Sequence, residues 1–234
     1  MTRRLGHLAV ALLAGSALWG CAAQPTINTD ATQRSHDGLY AIDNSIVDQA
    51  WVRGDLDLSG YNKIKLESSG IQYRPTKAGA NSRMAARRGE TDFPVQQENR
   101  DRLLQIVAEA FTQELAKAER FQLTDETGSD VLIVRGQLLD VVSHVPPETP
   151  GRGDVYLDEI GAATLAIEII DSESNTVLLR AVDRRAAESH GMPIPSNTAT
   201  NWSEVRRLAQ FWARLLRQRL DGLAEALSLS ESAI

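Results

Sequence analysis

The sequence predicts an α/β (α+β-like) two-layer sandwich, with one mixed β-sheet of about five strands and two long helices on one face. Three observations lead there. Two stretches, residues 95–120 and about 202–227, repeat apolar residues every three or four positions, the period of a helix that buries one face. Shorter stretches between and before them alternate apolar with polar residues, or run apolar without a break, as strands do. The order is strand, helix, four strands, helix. It contains a strand-helix-strand unit, which crosses over onto a single sheet.

The chain opens with a leader. Arg3 and Arg4 precede an apolar run from Leu8 to Trp19, which closes on Leu18-Trp19-Gly20-Cys21. A charged start, about a dozen apolar residues and a small residue at the cut make the order of a signal peptide. The run is shorter than the ~20 residues of a membrane-spanning helix. Cys21 is the only cysteine. It has three readings: a lipidated mature amino terminus, an ordinary thiol of a secreted protein, or part of an uncleaved anchor. Leu18 and Gly20 stand where a lipoprotein signal has them, while Trp19 replaces the usual smaller residue. The order favours removal of residues 1–20 and lipidation of Cys21 by palmitate-type acyl chains. One chain holds a protein marginally and two or more hold it stably. Ala22 and Ala23 take the place of the Asp that favours inner-membrane retention, which points to the outer membrane, facing the periplasm.

Residues 22–37 are small and polar without periodicity, and the sequence predicts a lipidated flexible tether over 21–37. A single globular domain is expected over 38–228, with a tail at 229–234. Leu39, Tyr40, Ile42, Ile46, Val47 and Trp51 are too apolar for a linker and are expected to pack on the domain. A half-buried strand is predicted over 61–73, where Ile64 and Leu66 alternate with Lys63, Lys65 and Glu67. Residues 76–92 carry Arg83, Arg87 and Arg88 without a hydrophobic pattern and read as a loop. Pro94 then opens the first helix, with Leu104, Val107, Phe111, Leu115 and Ala118 on one face.

A short strand is expected over 121–124. The run 131–142 is apolar enough to be a central strand covered on both sides. Pro146, Pro147, Pro150, Gly151 and Gly153 make 145–158 a loop. Residues 162–170 and 177–182 flank a polar turn and form a hairpin. In the last helix Asn201 is the expected cap with Glu204 three positions on. Its buried stripe is expected to hold Val205, Leu208, Trp212, Leu215, Leu216 and Leu223.

Three pieces carry a family resemblance: Leu58-Ser59-Gly60-Tyr61-Asn62-Lys63, Asp130-Val131-Leu132, and the hairpin 163–185. Within the hairpin the most specific parts are Glu168-Ile169-Ile170-Asp171-Ser172, Leu178-Leu179-Arg180-Ala181 and Asp183-Arg184-Arg185. The chain resembles, over roughly residues 38–228, the bacterial lipoprotein family labelled domain of unknown function 3313. Members usually have Gly in the hairpin turn, where this chain has Asn175. The resemblance implies an envelope lipoprotein and brings no catalytic residues.

Composition excludes several classes. Loss of Arg3 and Arg4 with the leader takes the formal net charge from −6 to −8. An acidic domain is a poor nucleic-acid binder, because phosphate contacts need clustered Lys and Arg. With one cysteine no internal disulfide forms, so stability must come from a packed core. His36, His144 and His190 are not at metal-ligand spacing, and no metal or other cofactor is expected. Ser189-His190 with Asp183 resembles a nucleophile, base and orienter only on paper, because neighbours on a strand diverge; a solvated loop is the better reading. Glu168 and Glu188 are not evidently paired. The Arg-Gly-Asp at 152–154 is too short to mean adhesion. Arg206, Arg207, Arg214, Arg217 and Arg219 in the last helix suggest a basic face for anionic headgroups or an acidic partner, or more simply a solvated face whose stems cover apolar surface.

The function expected is a non-enzymatic binding or accessory module for an envelope protein partner, held to the membrane through Cys21. Loops 76–92 and 146–154 and the sheet edges are its expected contact surface. The alternative is a domain that binds or hydrolyses a small ligand at a site invisible in the primary sequence. A deep pocket would favour the alternative, and a flat apolar patch or open edge the first reading.

Overall fold

The computed structural model describes residues 24–77, 79, 91–147, 155–188 and 193–231, and the backbone alone at 194 and 223–231. The leader with Cys21, the expected contact loops over 80–90 and 148–154, and Ser189 and His190 lie outside the described residues. The strands are β1 (Thr26–Ile27), β2 (Tyr40–Asp43), β3 (Gln49–Val52), β4 (Lys63–Tyr73), β5 (Gln122–Leu123), β6 (Val131–Ser143), β7 (Tyr156–Leu157), β8 (Glu159–Asp171), β9 (Val177–Glu188) and β10 (Ile194–Pro195). Two helices, α1 (Gln97–Leu115) and α2 (Thr198–Glu231), complete the fold.

The fold is α+β with a mixed sheet, but the sheet has eight strands rather than about five, in the order β1-β2-β3-β9-β8-β6-β4-β5. β4 runs parallel to β5 and β6, and the other neighbours are antiparallel. β7 and β10 form a separate two-stranded pair. The extra strands, β1, β2 and β3, come from the amino-terminal segment. They are two to four residues long, too short for alternation to show. The segment expected to pack on the domain therefore does so as strands, and Leu39 is fully buried. The expected flexible tether is docked from Thr26 onward. β1 pairs with β2, and Asp37 makes two bonds of 3.2 and 2.8 Å to the Arg180 guanidinium on β9. Arg180 holds the Asp37 carboxyl down at about 2, well below its ordinary value.

Register places the layers. Val134, Gly136 and Leu138 of β6 lie opposite Ile169, Ile167 and Leu165 of β8, and these residues face the helices. The other face carries a row of alternating charge across four strands: Glu67, Arg135, Glu168 and Arg180 stand opposite one another in register. Arg135 reaches Glu67 at 3.0 Å and Arg180 reaches Glu168 at 2.9 Å, the cross-strand pairing expected where long side chains cover a half-exposed sheet.

Both helices lie on one face, as expected. α1 buries Leu103, Ile106, Ala110, Phe111 and Leu115. Leu104, expected in the buried stripe, is 43% exposed. The reason is the second helix: Ile106 and Ala110 turn toward Ala209 of α2, which rotates the buried face by about one residue. α2 begins earlier than expected. Its cap is Asn197, not Asn201: the Asn197 side-chain oxygen Oδ1 accepts the N–H groups of Ala199 and Thr200, both at 3.0 Å. Thr200 Oγ1 accepts the Asn197 N–H in return, so Thr fills the capping-box role assigned to Glu204. Asn201 instead bonds Ser196 at 3.1 Å. Of the expected stripe Trp212 is buried, Val205, Leu208, Leu215 and Leu216 are half-buried, and the Leu223 side chain lies outside the described residues; Ala213 and Leu220, not expected there, are buried.

At the start of β8 the backbone of Gly161 lies so close to β6 that a Cβ would meet the Val142 carbonyl oxygen. The neighbour is backbone within a paired strand and cannot swing away. Gly161→Ala is expected to cost about 1–3 kcal/mol, the range of an overpacked site, as read by denaturant melts. A neutral outcome would mean that β6 and β8 separate freely at this end.

Candidate functional site

Above that end of the sheet lies the main cavity, a cleft of about 940 Å³. Its floor is Leu138, Val141 and Val142 of β6 with Ile160 to Ala163 of β8. One wall is residues 93–99 with Leu103 and Val107 of α1, and the other is the first turns of α2 through Trp202, Val205, Leu208 and Trp212. The volume has a simple origin. Ala163, Ala187 and Ala209 are among its lining residues, so floor and wall carry small side chains there. Apolar side chains make the larger part of its lining, and Gln96, Asn99, Ser196, Asn197 and Asn201 are among the polar ones. Glu98 is the only charged residue among the described residues that line it.

Two devices hold the walls. Trp212 is 4% exposed, and its indole N–H donates to Asp183 Oδ2 of β9 at 2.8 Å. Asp183 is itself 4% exposed and also accepts from Arg185 at 2.6 Å and from the Asp48 backbone N–H at 3.3 Å. The second device is a bulge. The register of β6 against β8 shifts between Leu139 and Val142, and Asp140 sits there at φ 51°, a left-handed conformation that costs free energy unless neighbours hold it. Arg74 grips the Asp140 carboxylate with two bonds of 2.9 and 2.6 Å, and Arg184 adds one of 2.7 Å. The Arg74 contact, more than the Arg184 charge, keeps Asp140 below its ordinary value. Arg74 also bonds Asp92 at 2.8 Å, and the adjacent Phe93 pairs through its backbone with Ser143. The network thereby fastens the segment that forms the first wall.

At the opposite end of the sheet the loops are tied by polar groups. Tyr61 Oη donates to Asp171 at 2.7 Å, and Ser172 exchanges two hydrogen bonds with the Gly128 backbone. Burial, with the Asp171 contact, pushes the Tyr61 phenol up to about 12. Arg120 donates to the carbonyls of Leu58, Ser59 and Tyr61, and Lys63 pairs with Asp130 at 2.9 Å. Asn175, in the hairpin turn, has φ 56°. It adopts the left-handed conformation that Gly accepts most easily and Asn next.

The model of the family described as protein of unknown function, DUF3313, matches residues 43–216. The chain belongs to the DUF3313 family. Within this DUF3313 chain the pieces that carried the resemblance divide by place. Leu58 to Lys63, Asp130 and Asp171-Ser172 close the far end of the sheet, whereas Asp183 and Arg184 brace the cleft. A comparison with curated proteins gives no match. Among solved structures, a Xanthomonas campestris protein of the DUF330 family superimposes with a TM-score of 0.39 at 12% identity, over 78% of this chain and 94% of its own. A neuraminyllactose-binding hemagglutinin homolog from Helicobacter pylori gives 0.38 at 8% identity, over 75% and 94%. A minor lipoprotein from Acinetobacter baumannii gives 0.30 at 14% identity, over 69% and 94%. Likenesses this weak carry no argument about the DUF3313 chain.

The residues weighed in the sequence are placed as follows. Asp183 is buried and holds Trp212; its would-be partners Ser189 and His190 fall outside the described residues. His144 lies 3.6 Å from Asp92 and 3.5 Å from Glu159 at the cleft end, and no metal-holding cluster occurs among the described residues. Glu168 is paired with Arg180 on the other face. The arginines of α2 are largely engaged: Arg207 pairs with Glu204 and donates to the Glu188 carbonyl, and Arg214 and Arg217 turn to Glu114. No helix of the described residues is long and apolar enough to cross a membrane. The cleft itself was missed. Its only trace in the sequence is the cluster of small residues at 161–163, whose meaning depends on what packs above it.

Proposed function

We propose that the protein is a lipid-anchored component of the bacterial envelope, held through Cys21 at the outer membrane and facing the periplasm. Its domain is a binding module, not an enzyme, and the cleft is where it binds an apolar ligand. The observation that carries this reading is the cleft of about 940 Å³ with a single charged lining residue. Cavities of ~300–1,000 Å³ with apolar walls are the usual form of small-molecule sites. The polar groups on the rim serve local structure: Asn197 caps α2, Ser196 pairs with Asn201, and Ser143 accepts the Val145 N–H. The cleft favours ligand binding over the flat protein-docking surface first expected. The expected envelope partner then supplies or receives the ligand. The anchor rests on the order of the leader ending at Cys21.

Native mass spectrometry of the full-length protein taken from its own membrane tests both parts. The expected species carries acyl groups on Cys21 and one apolar adduct. Cys21→Ser should lose the acylation and keep the adduct. Val205→Glu sets a carboxylate in the apolar wall and should weaken the adduct by at least about tenfold, since an unpaired buried charge is costly. An unmodified Cys21 would overturn the anchor, and an adduct indifferent to Val205→Glu would overturn the cleft.

A further inference from the structure

A second, smaller cavity of about 180 Å³ lies under α1, between Phe111 and the helix-facing residues Leu66, Val134 and Ile167 of the sheet. Val107 of α1 and Leu138 of β6 line both this cavity and the cleft, and stand between them. The floor beyond that pair is Gly136, opposite Ser68 in register. Gly136 lies in the interior of a 13-residue strand, where glycine weakens the ladder. No backbone reason requires it there. Its φ is not among the positive values, and a Cβ built on it meets nothing within 4 Å. What glycine supplies at this position is empty apolar space. A small pocket with so apolar a lining suits an apolar guest.

Resting on the cleft as the binding site, we propose that the two cavities form one path for a single unbranched acyl chain, with Gly136 setting the length it accepts. The chain enters between the first turns of the helices, passes Val107 and Leu138, and ends over Gly136. Only two aliphatic side chains separate the cleft from a space one-fifth its size, and rotamer changes of Val107 and Leu138 would admit a linear chain more readily than a ring system. The headgroup then lies at the polar rim of Gln96, Glu98, Asn99 and Asn197. A free fatty acid and a lysophospholipid share this chemistry.

The test is native mass spectrometry of the full-length protein, titrated with decanoate, hexadecanoate and the lysophosphatidylcholines bearing the same chains. The expected result is a one-to-one adduct with hexadecanoyl favoured over decanoyl by at least about tenfold, since each buried methylene adds about fourfold. Gly136→Leu should lower hexadecanoyl binding about tenfold and leave decanoyl binding within about twofold. Gly136→Ala should shift the preference the same way by a smaller factor, and it decides the matter if the leucine variant does not fold. Adducts from either the fatty-acid or the lysolipid arm support the path, and their ratio identifies the source. Equal binding of both lengths, or equal losses of both in the variants, would overturn the path. If only a non-acyl apolar ligand binds and Val205→Glu weakens it, the path falls and the cleft reading stands. If no apolar ligand binds, both fall.

Discussion

Trp212→Ala is expected to cost about 3–5 kcal/mol, the range for deleting a buried aromatic side chain. Trp212 is 4% exposed, and it packs in the same cluster as Leu165 and Ile167 of the sheet and Leu103 and Phe111 of α1. Removing it leaves a void where the two layers meet and an acceptor on Asp183 without its donor. For a chain of this size the midpoint of thermal unfolding should fall by roughly 10 °C. Phe111→Ala belongs to the same range because the ring is 8% exposed and faces the same cluster. Denaturant melts of the full chain followed by far-UV circular dichroism read both. Losses below about 1 kcal/mol for the pair would mean that the helix faces are wrongly assigned.

Asp183→Ala is expected to be comparably severe, about 3–5 kcal/mol, because it strips a buried charge network of one member. The indole N–H of Trp212 and the Arg185 guanidinium would both lose their acceptor, at 2.8 and 2.6 Å. Asp183→Asn keeps an oxygen for the indole and should lose markedly less. The two sites touch, so their effects should not add. The Asp183→Ala, Trp212→Ala double variant should fall short of the sum of the singles by about 0.5–3 kcal/mol. Strict additivity would show that Asp183 acts through Arg185 or Asp48 instead of through the tryptophan. If Asp183 were the orienter of a hydrolytic triad, Asp183→Asn would remove an activity while leaving the melt unchanged.

The elements legible in the sequence are those whose signal is periodic over many residues. α1, β4, β6, β8 and β9 fall where Val107, Phe111, Ile64, Leu66 and the run from Val131 place them. Two of the three misplaced details are decided by a neighbour from another part of the chain, and the helix cap by a local exchange of hydrogen bonds. Leu104 is exposed because α2 claims the adjacent face through Ala209. Asn201 looked like a cap, but Asn197 wins because Thr200 returns its hydrogen bond. Asp140 looked like an ordinary strand residue within Leu-Leu-Asp-Val-Val. Its left-handed conformation depends on Arg74 and Arg184, 66 and 44 positions away.

By itself the sequence determined what is read locally and in linear order: the two long helices, the longer strands with the hairpin between them, and the acidic balance of the chain. The family, too, was readable from short motifs, and the match over residues 43–216 agrees with them. Only the tertiary structure decided the size of the sheet, its register, and the cleft. Periodicity reports which side of one element is apolar. A cavity is the volume that several elements fail to fill. The walls of this one come from residues 93–107 and 196–212, and its floor, from 138–142 and 160–163, is apolar like any core. A small residue such as Gly136 or Ala163 reads as close packing or as open space according to what lies above it, and the opposing residues are set by the fold, not by the neighbouring sequence.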